Sequence, residues 1–328
     1  MIGYSERGKE RAHGCPSEPG LQHFIQTCDI FHFLVLNSLA SAHADNFKCM
    51  HAQTLTSEMS VDVRVEKIDT RTSTRKTVKE PVATEAPLNL FINDEYVITL
   101  LATPRLQKEL ALGWLFTEGV LTSLDEIKKV VKTQNYVKVI TRHPVNEEKL
   151  QAVGVTRIMT TACGLSTSKF LRTMGDKKKH VVKSNHKTEA NGILRMVQEL
   201  DKSELYRSTW GVHVAALFEK GKLVAFAEDV GRHNAADKAI GIAIQSKVNF
   251  SRSVLVSSGR QPADMVLKAA NVGIPIVVSI AGPIRSGIIA AEKTGVTLVC
   301  FDKHQEIKVY THPSRILLRR GEAMELSS

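Results

Sequence analysis

Residues Gly211–Gly241 read GVHVAALFEKGKLVAFAEDVGRHNAADKAIG, and the rest of the chain is organised around them. Val212–Phe218 and Leu223–Ala227 are short apolar runs rich in Val, Ala and Phe. Lys220-Gly221-Lys222 between them has the composition of a hairpin connection. Glu228, Asp229, Arg232, His233, Asn234, Asp237 and Lys238 then put seven polar or ionisable residues into eleven positions. Asn234 has the chemistry of a helix N-cap, with Asp237 three residues on as an imperfect capping box. Gly231 lets the loop turn tightly and present backbone N–H groups. A strand end feeding a helix N-terminus is where open α/β sheets hold anionic ligands. Internal ion pairing is the competing use of these charges, but so many in one loop favour a site.

Downstream the chain alternates. Val254–Val256 predicts a strand, Pro262–Ala270 a helix closed by Gly273, and Ile276–Ile280 a strand. Pro283–Lys293 predicts a helix closed by Gly295, followed by a strand over Val296–Phe301. Short, wholly apolar strands between helices imply a mostly parallel sheet covered on both faces. Ile307–Thr311 adds a last strand at an edge.

Upstream, Val61–Ile68 alternates like a half-exposed strand, and Leu88–Ile92 with Tyr96–Leu101 predicts a hairpin around Asn93-Asp94. Thr103 and Pro104 are placed to cap and begin a helix that ends at Gly119, and Tyr136–Ile140 predicts a further strand. Residues 61–155 thus form a small α+β domain, and 156–316 a larger α/β domain followed by a tail over 317–328. Asp176–Lys187 is a basic connector, and Thr188–Leu200 has helical spacing with Thr188 as cap. Residues 1–60 show no sustained period and are expected to be disordered or a non-native extension, with Met50 and Met59 as alternative starts. Phe31–Ala44 has the look of a signal-peptide core but lacks the basic flank.

The chain has 328 residues, 43% of them hydrophobic, with a formal charge of +10 that points to an anionic partner. Aromatic residues are only 5%, and no basic run is interleaved with stacking side chains, which speaks against a nucleic-acid partner. No window reaches the roughly twenty apolar residues of a membrane span. Five scattered cysteines (Cys15, Cys28, Cys49, Cys163 and Cys300) suit a reducing, cytoplasmic setting rather than a disulfide framework.

Cys300 lies in the apolar run VTLVCF, as structural cysteines do, whereas Cys163 lies in the polar, small-residue turn TTACGLS ahead of a short helix over Thr167–Met174. A turn before a helix N-terminus, with Arg157 and Lys169 nearby in sequence, is a place where a thiol becomes a thiolate nucleophile. The residues alone leave an inert surface thiol equally open. A metal site is not expected, since Cys163 has no second cysteine within ligand spacing and the H-x-E…P-C-x-x-C deaminase signature fails.

From about Pro81 to Ile316 the chain resembles the formate dehydrogenase accessory sulfurtransferase family, FdhD. The motifs, in order, are ELALGWLFTEG, TTACGL, GVHVAALF, EDVGRHNAADKAIG, VLVSSGRQPADMVLKAA, and GVTLVCFDK leading to VYTHPSRI. The resemblance implies a cytidine-deaminase-like mixed sheet flanked by helices, with a smaller N-terminal α+β domain. It implies a sulfur carrier that takes persulfide sulfur from a cysteine desulfurase on Cys163. The sulfur goes to the molybdenum (or tungsten) bis-pterin guanine dinucleotide cofactor of formate dehydrogenase. By the same resemblance Phe301, Asp302, Lys303, His304, Gln305 and Glu306 correspond to a segment that contacts that cofactor. Arg232, Lys238 and Arg260 are candidates to neutralise its phosphates, Glu228 and Asp229 to take its ring N–H groups, and His213 and His233 to move protons. A homodimer is compatible with the resemblance.

The chain departs from the family pattern in two places. Ser166 stands where a second loop cysteine often stands, so Cys163 would act alone. Gln305-Glu306 replaces a Gly-Arg pair, which removes a guanidinium from the cofactor segment. The competing function is a cofactor-binding chaperone without sulfur transfer. A pure chaperone has no need of a thiol at Cys163.

Overall fold

The alternating run from Ser60 forms β1 (Ser60–Asp69), which turns back antiparallel on β2 (Thr74–Ala83) as a two-stranded ribbon. This computed structural model describes residues 59–145, 158–159, 181–301 and 306–318. Next come β3 (Ala86–Ile92), β4 (Glu95–Ala102), α1 (Gln107–Thr117), β5 (Ile127–Lys132), β6 (Tyr136–Thr141) and β7 (Ile158–Met159). The last five strands form a mixed sheet in the order β5-β6-β3-β4-β7. After β8 (Thr188–Glu189), α2 (Ala190–Gln198) and α3 (Glu204–Thr209), the central hairpin follows as β9 (His213–Glu219) and β10 (Lys222–Asp229). Then come α4 (Arg232–Gln245), β11 (Ser253–Ser257), α5 (Ala263–Val272), β12 (Ile276–Ser279), α6 (Arg285–Thr294), β13 (Thr297–Phe301), β14 (Ile307–Val309) and β15 (Ile316–Leu317).

The larger sheet has six strands in the order β10-β9-β11-β12-β13-β14, with β14 at an edge. Only β11–β12 and β12–β13 pair parallel; the other three pairings are antiparallel. The sheet is therefore mixed rather than mostly parallel, because the hairpin from the central stretch supplies two of its strands. Strand alternation buries both faces. Ala215, Leu217, Leu255, Val277, Leu298 and Cys300 join the apolar cluster that holds α4 and α5. Val254, Val256, Ile276, Val278 and Val299 join a second cluster with Ile193 and Met196 of α2.

The first cluster also contains Leu88, Leu90, Ile98, Val137 and Val139 of the five-stranded sheet, so one core runs between the two sheets through α1 and α4. Leu55–Ser328 cohere as one compact unit; the domain boundary expected near residue 155 falls outside the described residues. The two helices cross with their backbones in contact. A Cβ on Gly113 of α1 would lie 1.8 Å from the Asp237 carbonyl oxygen, and one on Gly241 of α4 would lie 1.9 Å from that of Glu109. Only glycine permits such an approach. Among the described residues no helix is long and apolar enough to cross a membrane.

Several boundaries differ from the sequence reading, each for a local reason. α1 begins at Gln107, not Pro104, because the polar backbone and side-chain groups of Thr103 are engaged elsewhere (below). α4 begins at Arg232 with Gly231 as N-cap, so Asn234 lies inside the helix and does not cap it. Thr188 pairs with Ile316 in a short parallel bridge, and Glu189 occupies the N-cap of α2. β2 and β5 escaped the reading because TRKTVKEPVA and IKKVVK carry as many charged residues as apolar ones and show no clean alternation. α5 and α6 end as expected, on Gly273 and Gly295 in left-handed conformation.

The crossing makes a direct prediction. Gly113→Ala should lower the unfolding free energy by about 3 kcal/mol through overpacking. Gly282→Ala, whose Cβ would meet nothing within 4 Å, should stay within about 0.5 kcal/mol of the parent. Equal denaturant midpoints for the two variants would show that the helices can part freely.

Candidate functional site

Strand register brings one set of loops together. Ser257 pairs with Ala215 of β9 and with Ser279 of β12, Ser279 pairs with Cys300 of β13, and His213 pairs with Asp229. The start of β9 and the ends of β10, β11, β12 and β13 therefore share one edge of the sheet. The N-termini of α4, α5 and α6 follow from the same edge. Crevices beyond strand carboxyl ends are the usual ligand position in such sheets.

The loop from Asp229 to Asn234 is tied down by its own acid. Asp229 is fully buried and pairs with Lys238, also fully buried, at 2.5 Å. Its carboxylate accepts hydrogen bonds from the backbone N–H groups of Gly231 (2.8 Å) and Thr103 (3.1 Å) and from Asn234 Nδ2 (3.0 Å). Thr103 completes the knot: its Oγ1 accepts from Val230 N at 3.2 Å and its carbonyl from Lys238 Nζ at 2.8 Å. Burial raises the Asp229 carboxyl and lowers the Lys238 ammonium, and their mutual attraction opposes both shifts. Lys238 is thus a structural cation inside the fold, not a phosphate ligand. Asp229 is likewise committed to internal bonds, and Glu228 hydrogen-bonds Ser203 Oγ. Asp237 is no capping residue: it is buried and pairs with Lys268 at 2.8 Å, and Lys268 also reaches Glu118 at 3.0 Å.

The remaining basic groups of the stretch are different. Arg232 is half-buried at the first position of α4, and its buried Nε has no hydrogen-bond partner among the described residues. Its stem lies on Gly259, where a Cβ would come within 2.7 Å of Arg232 Cβ. Gly259 is fixed in turn, its N–H donating to Ser257 Oγ (3.1 Å) and its carbonyl accepting from Gln261 Nε2 and Ser279 Oγ, each at 2.8 Å. Arg260, next in the turn, is exposed. Ser258 Oγ accepts from Val214 N at 2.9 Å and contacts His213 Nδ1 at 3.2 Å, so this turn also positions that imidazole. His213 is held below its ordinary value first by burial and then by the positive charges of Arg232, His233 and Arg260. His213 begins β9, Arg232 and His233 open α4, and Arg260 follows β11, so all four belong to the same edge of the sheet.

His233 Nε2 meets Asp264 Oδ2 at 2.8 Å. Burial alone would raise Asp264, but the hydrogen bond and field of His233, with the Met265 N–H, hold it below its ordinary value. The geometry gives one edge carrying two guanidinium groups and a neutral imidazole, on a turn whose backbone is locked. The partnerless Arg232 Nε and the exposed Arg260 are donors without acceptors, which fits an anionic ligand.

Phe301 ends β13 at this edge, with its ring packed on the second apolar cluster. Cys163, Ser166, Asp302, Lys303, His304 and Gln305 lie outside the described residues, and Glu306 is exposed where the chain resumes. Cys300 is buried, and burial pushes its thiol up to about 12. Sequence reasoning missed Thr103, Ser258, Gln261 and Asp264. The strand-to-helix turn SSGRQP, with its glycine and two hydroxyls, carried a signal for Ser258 and Gln261, while Thr103 reads as a helix cap.

An α/β protein with a cationic site at the strand ends is the class these features define. The chain belongs to the FdhD/NarQ family, whose profile matches residues 83–317. It is 33% identical over 246 residues to the sulfur carrier protein FdhD of Shouchella clausii, covering 74% of this chain and 92% of that one. With the sulfur carrier protein FdhD of Sulfolobus acidocaldarius it shares 34% identity over 247 residues, covering 74% and 93%. Among solved structures it matches a formate dehydrogenase accessory protein from Desulfotalea psychrophila with a TM-score of 0.64 and 27% identity, over 79% of this chain and 100% of that one.

Two outcomes test the site. Asp229→Asn leaves Lys238 buried without a counter-charge and should cost about 4 kcal/mol of stability, measured by denaturant melts; a loss below about 1 kcal/mol would mean the pair is dispensable. His213 should titrate below the ordinary 6.5 by NMR, with the midpoint moving up in Arg260→Ala. Because the unfolded chain then protonates first as pH falls, the stability that His213 contributes is complete above pH 6.5 and declines below it. A midpoint at or above 6.5 contradicts the clustering.

Proposed function

We propose that this chain is a sulfur carrier. It takes persulfide sulfur from a cysteine desulfurase onto Cys163 and passes it to the molybdenum (or tungsten) bis-pterin guanine dinucleotide cofactor of a formate dehydrogenase. Family membership and the sulfur-carrier relatives support the class of function. The single observation that supports an anionic cargo is the placement of Arg232, Arg260, His213 and His233 at one edge of the sheet, where β9 begins, β10 and β11 end and α4 starts.

In the loading step the Cys163 thiolate attacks the outer sulfur of the donor's persulfide. A new S–S bond forms at Cys163 as the donor's S–S bond breaks, and the donor cysteine leaves as a thiolate. No net oxidation occurs. One thiol is enough for this exchange, so Ser166 is no obstacle. The cargo is a substrate, with pyrophosphate oxygens that suit Arg232 and Arg260, while the neutral His213 can donate or accept a hydrogen bond beside them. Phe301 ends β13 at the same edge, and the segment Phe301–Glu306 would meet the guanine nucleotide end. Lys238 has no part in cargo binding, and its role is to hold the loop that carries Arg232.

The test is mass spectrometry after incubation with a cysteine desulfurase and cysteine. The expected result is one added sulfur on Cys163, removed by a reductant. Cys163→Ala should lose both the adduct and activation of the dehydrogenase, while Cys300→Ala, whose thiol is buried and protonated, keeps both. Full activation by Cys163→Ala would replace this reading with that of a cofactor-binding chaperone.

A further inference from the structure

The opposite edge of the six-stranded sheet carries a second concave feature. The β9–β10 hairpin closes there, with Lys222 paired to Glu219, at the far end from the His213–Asp229 pair. Between this hairpin and the start of α2 lies a cleft of about 580 Å³, within the size range of small-molecule sites. Lys187, Arg195 and Lys220 line it, and none of the three is held in an ion pair among the described residues. Two acids also line it: Glu199 pairs with Lys202 at 2.8 Å, and Glu189 is the N-cap residue of α2 with no side-chain cap bond.

His186 supplies an independent observation. His186 is among the residues that line the same cleft and is half-buried, yet its Nε2 is buried and has no hydrogen-bond partner among the described residues. Leaving such a nitrogen unpaired costs about 1–3 kcal/mol, so a site that supplies its partner recovers that energy. The ring is kept neutral first by burial and then by the charges of Arg252 and Arg315. Arg315 is engaged by the Gly295 carbonyl at 2.7 Å and Thr297 Oγ1 at 3.1 Å. The Arg252 carbonyl accepts from Lys220 N at 3.1 Å, which keeps the hairpin turn against it. Met196, Phe218 and Leu223 give the cleft an apolar wall beside its cationic rim.

We propose that this cleft is a second ligand site, for an organic anion whose phosphate or carboxylate meets Lys187, Arg195, Lys220 and His186 and whose apolar body lies on Met196, Phe218 and Leu223. It is distinct from the cargo edge, and it needs neither Cys163 nor the loop after β13. Occupancy places a negative group beside His186, so binding also takes up protons near neutral pH.

The experiment follows the His186 ring by NMR in the full chain during titration with phenyl phosphate, with benzoate and inorganic phosphate as separate arms. An apolar anion should shift the Nε2 and Cε1 resonances, raise the His186 titration midpoint, and bind more tightly than inorganic phosphate. Whichever of phenyl phosphate and benzoate binds better identifies the head group. Arg195→Gln and Lys220→Gln should each weaken binding about tenfold, the worth of one charge-assisted hydrogen bond. Lys220 lies on an exposed hairpin turn, so its variant keeps the test valid should Arg195→Gln fail to fold. Arg260→Ala should leave the His186 response intact. An unmoved His186 ring, or equal affinity in the parent and Lys220→Gln, overturns the proposal.

Discussion

Where α1 crosses α4, the backbone at Gly113 rests on the carbonyl of Asp237 and the backbone at Gly241 on that of Glu109. Two helices can approach that closely only if the contact is made by residues without side chains. The approach brings Thr117 Oγ1 within 2.7 Å of Asp237 and puts Lys268 of α5 between Asp237 and Glu118. The next residue of α4, Lys238, reaches the Thr103 carbonyl and Asp229. Both lysines are buried and answered by carboxylates, because an unanswered charge at that depth would be far more costly than the pair. The crossing thus fixes the five-stranded sheet to the six-stranded one through directed polar contacts as well as apolar burial.

The consequence for the site lies at the start of α4. The Asp229 carboxylate holds Gly231 and Asn234, and Thr103 holds Val230, so the loop that delivers Arg232 has little freedom. On the other side Gly259 is clamped by Gln261 and Ser279, and Arg232 lies across it. Two rigid turns present guanidinium groups and a neutral imidazole at one edge. Preorganisation of this kind lowers the ordering cost of binding an anion. Charges in the interior and charges at the edge differ in their engagement: the first set the loop's shape, while at the edge Arg232 Nε is unpaired among the described residues and Arg260 is exposed.

Much of this was legible in the sequence. The strand–helix alternation after Ser253 and the left-handed glycines closing α5 and α6 follow from apolar runs and punctuation. The placement of a densely polar loop at the end of β10 and the start of α4 followed from charge density in EDVGRHNAADK. What could not be read was which charges face inward. Lys238 and Arg232 stand six residues apart in one stretch, yet one is fully buried and the other keeps a donor unpaired. That difference depends on Thr103, more than a hundred residues away in sequence and itself taken for a helix cap. β2 and β5 were missed for a related reason: their stability comes from pairing with β1 and β6, not from their own composition.

The central claim is that the edge formed by Arg232 and Arg260 receives an anionic nucleotide cargo. Calorimetric titration with guanosine diphosphate at fixed salt tests it most directly, using the parent chain, Arg232→Ala and Arg260→Ala. The account predicts measurable binding by the parent that weakens as salt rises, and about a tenfold loss in each variant, the worth of one charge-assisted contact, with unchanged melting. Affinity equal to the parent's in both variants would contradict it.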